Sequence, residues 1–308
     1  MSSRHRLHPS AWLVAAGLVW VAAAASCAAS ENRPLDGGGS TAVGGAGGQG
    51  GTNLQLDGGP DDGADGAACS EAAKLVYVLS YEMGLYSFSP PSLAFQKIGD
   101  LACPAVGGAT PFSMAVDRSG LAWVLYDDGS LFHVSTADAS CSPTAFVAGS
   151  PSFSKFGMGF VADAPGSPSE TLYVSSFDGA SLGKIDTSTL ELSVVGDYDA
   201  IFQSAELTGT GAARLYGFFT TAPPIVAEIA PTTAKILSQA PQPSVDIGTA
   251  WAFAFWGGDF WLFTAPGVAS RVDRYRPSDG TTVTMLSNVG FDIVGAGVST
   301  CAPTEPPD

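Results

Sequence analysis

The chain has 308 residues, 45 % of them hydrophobic, enough for one or two packed domains. Its formal net charge of −16 argues against a nucleic-acid partner, because phosphate-backbone binding depends on clustered Lys and Arg. Such acidity suits solubility outside the cell.

Residues 1–26 read as an export signal. Arg4 and Arg6 form a positive start, and Ala11–Ala25 is apolar but short for a bilayer span. Removal of the two arginines leaves 11 basic against 29 acidic residues, a net charge of −18. The segment ends in Ala24-Ala25-Ser26-Cys27, which is similar to a bacterial lipobox with Ala24 in the usual Leu place. Cys27 is then the lipidated first residue of the mature chain. The alternative is ordinary cleavage after Ala25, with Cys27 left as a lone thiol. Lipidation of Cys27 leaves Cys69, Cys103, Cys141 and Cys301, an even set for two disulfides in an oxidising compartment.

Residues 27–68 form a spacer. Asp36–Ala68 is rich in Gly and Asp and poor in large apolar side chains, so it is expected to be disordered. About 40 residues of flexible coil reach roughly 35 Å, enough to hold a folded head away from a membrane anchor. Asp57, Asp61, Asp62 and Asp65 lack the alternation and terminal Glu of a calcium loop, and no metal or other cofactor is expected.

Residues 69–303 carry an internal repeat, with a disordered tail expected over 304–308. Tyr77, Trp123, Tyr173, Tyr216 and Trp261 recur at intervals of 46, 50, 43 and 45 residues, the length of four short strands with their turns. Five third strands follow an apolar-x-polar-apolar-x-(Pro/Thr) pattern: Leu85–Pro90, Leu131–Thr136, Leu182–Thr187, Val226–Pro231 and Val272–Pro277. Their polar position reads Ser87, His133, Lys184, Glu228 and Arg274, and a place that takes both charge signs is expected to face solvent. First strands are Phe112–Asp117, Phe156–Val161, Ser204–Gly209, Ala250–Phe255 and, at the far end, Ile293–Ser299. The first repeat lacks a first strand and the last first strand lacks a repeat. Both defects vanish if Ile293–Ser299 completes the blade begun by Leu75–Leu79. The expected fold is an all-β, five-bladed β-propeller closed by its C-terminal strand, without open inner edges. Closure brings Cys301 beside Cys69, which favours Cys69–Cys301 and Cys103–Cys141 over the two other pairings. The first bridge closes a very long loop, worth about 4–5 kcal/mol in the chain-entropy model.

Several long strings carry a resemblance: Pro111–Arg118, Phe156–Phe160, Glu206–Gly211, Trp251–Trp261 and Val294–Cys301. Through them Cys69–Pro303 resembles a group of secreted myxobacterial lipoproteins with a β-propeller repeat domain and no assigned activity. The resemblance implies fold and compartment and brings no catalytic residues.

Candidate chemistry is sparse. His133 is the one histidine after the signal, so a His-based zinc site or a Ser-His-Asp triad is not expected. Aligned first strands place Met114, Met158, Glu206, Ala252 and Gly295 at one position, with Glu206 the sole charged side chain. Glu206 could bind a cation or act as an acid. Asp117 and Asp163, at first-strand ends, could join it in a glycosidase-like set, although an aspartate in Asp117-Arg118-Ser119-Gly120 is equally a turn former. Trp251, Phe253 and Phe255 alternate and share one strand face, suited to packing between blades. Trp256, before Gly257-Gly258, is the candidate exposed stacking residue. The leading expectation is an exported, outer-membrane-tethered binding or interaction module, monomeric, that meets the membrane only through its anchor and engages an extracellular ligand or envelope protein. The alternative is an extracellular glycan-acting hydrolase or lyase that uses channel carboxylates.

Overall fold

The computed structural model describes residues 69–306. The export segment, Cys27 and the 27–68 spacer lie outside these residues. Short strands rich in β-branched and aromatic residues alternate with Gly- and Asp-containing turns, the pattern of an antiparallel meander. Blade one holds β1 (Val76–Ser80), β2 (Gly84–Ser89) and β3 (Ala94–Asp100). Blade two holds β4 (Pro111–Val116), β5 (Leu121–Tyr126), β6 (Leu131–Ser135) and β7 (Cys141–Pro143). Blade three holds β8 (Phe156–Ala162), β9 (Glu170–Ser176), β10 (Ser181–Ile185) and β11 (Leu192–Asp197). Blade four holds β12 (Ala205–Gly209), β13 (Leu215–Phe219), β14 (Ile225–Ile229) and β15 (Ile236–Pro241). Blade five holds β16 (Trp251–Trp256), β17 (Asp259–Thr264), β18 (Arg271–Arg276) and β19 (Thr281–Leu286), and the last strand is β20 (Ile293–Gly297).

The strand order in blade one is β20-β1-β2-β3, so the C-terminal strand does complete the N-terminal blade. Tyr77 pairs with Gly297, Val78 with Ala296 and Leu79 with Gly295, all antiparallel. The inner strands β20, β4, β8, β12 and β16 each touch the next, and β16 touches β20. The fold is a five-bladed β-propeller. Cys69–Cys301 locks the seam, with Cα atoms 5.8 Å apart, and Cys103–Cys141 joins blades one and two with Cα atoms 5.1 Å apart.

The core is five layers, one between each pair of neighbouring blades. The two-residue period of a strand explains why. Val76 and Val78 face blade five, packing near Trp261 and Phe263, while Tyr77 and Leu79 face blade two, packing near Met114 and Val124. Second strands are therefore buried on both faces, and β1, β13 and β17 are buried throughout. Outer strands such as β3 and β15 are mostly exposed. On β16 the alternation divides the same way: Phe253 and Phe255 pack toward Tyr216 and Phe218 of blade four, and Ala252 and Ala254 toward blade one.

Blades three and four approach closely at the inner edge of the ring. A Cβ on Gly157 would run into the Ala205 carbonyl, and one on Gly209 into the Phe160 carbonyl, so neighbouring inner strands meet backbone to backbone. Glycine is required there because any side chain would push two blades apart.

The polar position of the third strands needs correction. Only Lys184 is exposed; Ser87, His133, Glu228 and Arg274 are half-buried. Cross-strand neighbours cover them. His133 pairs with Trp123 across β5 and β6, and the two rings lie 4.2 Å apart, edge to face. Its Nε2 is buried with no partner among the described residues, and burial holds its pKa below the usual histidine value.

Candidate functional site

The cavity nearest the ring axis opens on the face where the inner strands begin. It has a volume of about 220 Å³ and is bordered by Tyr81, Phe112, Lys155, Glu206, Trp251 and Val294, among others. Each of Phe112, Glu206, Trp251 and Val294 lies near the start of its inner strand, so the fold delivers them to one end of the axis. Phe112 sits at an irregularity in the β4–β5 pairing, between Pro111 and Ser113. A bulge of this kind re-aims a side chain.

Glu206 lies at the inner end of this cavity, 3 % exposed. The Ser113 hydroxyl donates to its Oε2 at 2.7 Å. The two residues sit in blades four and two, so the bond passes over blade three, where the facing residue is Gly157. Register explains the meeting. Glu206 pairs with Phe218, two residues beyond Tyr216; the matching pairs in the other blades are Gly295 with Leu79, Ser113 with Leu125, Gly157 with Ser175 and Ala252 with Phe263. The ring of equivalents is thus Glu206, Ser113, Gly157, Ala252 and Gly295. Met114 and Met158 do not belong to it. A one-residue slip turns a side chain to the other face, and both methionines are packed between blades. Burial raises the Glu206 pKa well above the ordinary carboxyl value, against the pull of hydrogen bonds from Ser113 and the Met158 backbone. Burial therefore favours its protonated form.

The rim of the cavity carries the charge. Asp127 accepts from the Thr110 backbone N–H at 3.1 Å and its hydroxyl at 3.3 Å. The Lys155 ammonium rests on two aromatic rings, 4.3 Å from the centre of Phe177 and 5.2 Å from that of Phe112.

Asp117 and Asp163 do not join Glu206. They follow β4 and β8, at the opposite ends of the inner strands. Asp117 stands four residues past Ser113 and Asp163 six past Gly157, roughly 13 and 20 Å along the strand at about 3.3 Å per residue. Asp117 is used as a turn former: its Oδ1 accepts from the Ser119 and Leu121 backbone N–H groups at 2.9 and 3.0 Å, and Oδ2 from the Trp123 indole at 3.2 Å. Asp163 accepts from the Thr171 hydroxyl at 2.7 Å. On that face Glu170 accepts from the Arg118 backbone N–H and the Thr300 hydroxyl, both at 2.7 Å, which ties blades two and three to the C-terminal segment. Burial raises its pKa. Among the described residues, no three His, Cys, Asp or Glu side chains gather as a metal site would require.

Trp256 is not an exposed turn residue. It is the last residue of β16, half-buried, and its indole N–H donates to the Lys74 carbonyl at 2.8 Å. The turn starts one residue later. Its ring still borders a depression of about 280 Å³ with Pro90, Leu93, Arg274 and Arg276. A larger cleft of about 550 Å³ lies between blades four and five, where the Arg214 guanidinium donates to both Glu228 oxygens at 2.8 and 2.7 Å. Counting pairs back across each hairpin from the second-strand aromatic would have singled out Ser113. Lys155, Phe112 and Arg214 carried no signal in the chain.

No protein-family model matches the chain, and no curated protein does. Among solved structures, it is similar to a chain of a nidogen/laminin complex at 9 % identity, covering 72 % of this chain and 97 % of that one with a TM-score of 0.48. It is also similar to a Bacteroides thetaiotaomicron protein of unknown function, at 12 % identity, 71 % and 56 % coverage and a TM-score of 0.48. A chain of a mitotic checkpoint complex gives 12 % identity, 75 % and 73 % coverage and a TM-score of 0.40. Likenesses of this size add nothing to the blade count, which stands on the strand pairing.

Proposed function

We propose that the protein is an exported, lipid-anchored binding module: Cys27 holds it at the outer membrane, residues 27–68 are the tether, and the propeller is a monomeric head that engages an extracellular ligand or envelope component. The Arg4/Arg6 start, the apolar run and the Ala24–Cys27 string support export and anchoring. The two disulfides suit an oxidising compartment.

One observation carries the choice of binder over enzyme. The three carboxyls that the sequence offers to a hydrolase or lyase are spread over two faces of the ring: Glu206 borders the axial cavity, where the other carboxylate is the rim Asp127, held by Thr110, and Asp117 borders a separate depression with Glu170 at the opposite strand ends. A glycosidase needs two carboxyl groups about 5–10 Å apart on either side of one bond. Asp117 and Asp163 are also committed to local hydrogen bonds.

Two measurements test the reading. Labelling with radioactive palmitate should mark the wild-type chain and not Cys27→Ala; equal labelling overturns the anchor. The purified lipoprotein, incubated with extracellular polysaccharides and outer-membrane fractions, should retain a component without releasing reducing ends or unsaturated sugars. Turnover that Glu206→Gln abolishes would make it an enzyme.

A further inference from the structure

The geometry points to a binding site for a small organic cation, an alkylated ammonium compound, in the axial cavity, with Glu206 as its counter-charge and Tyr81, Phe112 and Trp251 as its aromatic wall. The inference deepens the binding-module reading and rests on it.

The Ser113–Glu206 hydrogen bond crosses the ring from blade two to blade four at the floor of the cavity. About 220 Å³ is the liquid volume of roughly seven waters, room for a small molecule and not for a polymer. The wall is largely apolar or aromatic: Pro111, Phe112, Ala250, Trp251 and Val294, with Tyr81 at the rim. Aromatic faces attract cations electrostatically, most strongly where water is excluded. The mouth already does this within the chain, since the Lys155 ammonium lies over Phe112 and Phe177.

The floor is prepared for an anion. Ser113 donates to Glu206 Oε2 at 2.7 Å, and Met158 offers a backbone N–H. Both favour the ionised carboxylate, yet among the described residues no Lys or Arg forms an ion pair with it, and Lys155 is held at the rim over Phe112 and Phe177. A ligand ammonium supplies that balance. A bare metal ion fits poorly, because it asks for several oxygen ligands and the floor supplies one carboxyl and one hydroxyl. Binding is an exchange: the ammonium enters, Glu206 releases its proton to solvent, and a carboxylate–ammonium pair forms with no covalent change. The other ionisable groups around the cavity are Asp127, Lys155 and Tyr81 at the rim. Glu170, on β9 behind β8, pairs with Ala162 at the far end of that sheet.

The test is titration calorimetry of the full lipoprotein with choline and with its uncharged carbon isostere, 3,3-dimethylbutan-1-ol. Choline should bind 1:1 and at least tenfold more tightly than the isostere. Its affinity should rise with pH by up to tenfold per unit below the Glu206 pKa, with proton release read from the heat in buffers of different ionisation enthalpy. Glu206→Gln should lose tenfold or more in affinity along with the pH dependence, while the unfolding profile reports its fold. If that variant does not fold, Trp251→Leu and the wild-type proton release decide. Equal binding of choline and the isostere, undiminished binding by Glu206→Gln, or no binding by folded wild type overturns the site. A chain that ignores choline yet still retains an envelope component loses this site and keeps its role as a binder.

Discussion

Blades one and five have the same four-stranded antiparallel plan and differ in how the innermost strand arrives. In blade five, β16 runs into β17 through Gly257-Gly258, and six consecutive residue pairs stay in register. In blade one, β20 comes from the other end of the chain, and its pairing with β1 breaks between Leu79 and Ser80. What a two-residue turn does for blade five is done in blade one by distant groups. The Ser299 hydroxyl donates to the Ala73 carbonyl at 2.7 Å, the Tyr81 N–H to the Asp292 carbonyl at 2.9 Å, and Cys69–Cys301 bridges a separation of 232 residues. A seam without chain continuity meets the full loop-closure entropy, so a covalent bond is most useful there.

That contrast can be broken outright. Ending the chain after Asp292 removes β20 and the buried Ile293, Ala296 and Val298, and opens the edge of β1. The expected result is loss of the cooperative thermal transition and of near-UV circular dichroism; a truncated chain that still unfolds cooperatively would show the ring does not depend on its seam.

The disulfides sharpen it. Loss of Cys69–Cys301 through paired serine substitutions should cost up to about 5.5 kcal/mol and lower Tm by roughly 10 °C or more in a domain of this size. Loss of Cys103–Cys141, which spans 38 residues, should cost up to about 4 kcal/mol. Loop length alone accounts for a gap of about 1.5 kcal/mol between the two; a wider gap, read from denaturant midpoints, assigns the excess to the seam itself.

Next in size is the pH dependence set by Glu206. Its folded pKa is raised above the unfolded value, so its contribution is fully present below the ordinary carboxyl range, near 4.5, and is lost as pH rises toward the folded pKa. Stability should therefore fall with rising pH above that range, and Glu206→Gln should flatten the decline. Glu170 has the same sign, so Gln there should flatten it further. A wild-type profile that climbs from pH 5 to 8 would contradict a raised Glu206 pKa.

The smallest effect is expected at the blade-four hairpin. Arg214, 54 % exposed, pairs with Glu228 at 2.7 Å, and Arg214→Ala should cost about 0.2–1 kcal/mol, less at high salt. A loss of several kcal/mol in chemical denaturation would mean that the cleft between blades four and five depends on this pair.

Much of the fold was legible because the middle of each second strand lies between two blades and is largely apolar, with an aromatic at a fixed place. Tyr77, Trp123, Tyr173, Tyr216 and Trp261 mark five such strands, and the unmatched ends near Leu75 and Ile293 imply closure. The candidate site was legible in part. Glu206 stood out as a charge among small and apolar residues, but Phe112 and Phe156 drew the alignment one residue off and put Met114 and Met158 in its ring. Hydrophobicity alone does not locate a bulge or count across a hairpin. Trp256 and His133 were misread for a related reason: their cover comes from Lys74 and Trp123, and strand period does not report what a neighbour lays on top.

The sequence by itself determined five meandering sheets and the pairing of its two ends, because strand period and repeat length are one-dimensional properties. Only the tertiary structure decided that Ser113 reaches Glu206 over a glycine, that Asp117 and Asp163 stand at the other end of the axis, and that Lys155 covers the mouth of the cavity. Those facts depend on register and on the approach of blades to one another. Both are set by packing around a closed ring, where each strand's place is fixed by neighbours distant in the chain.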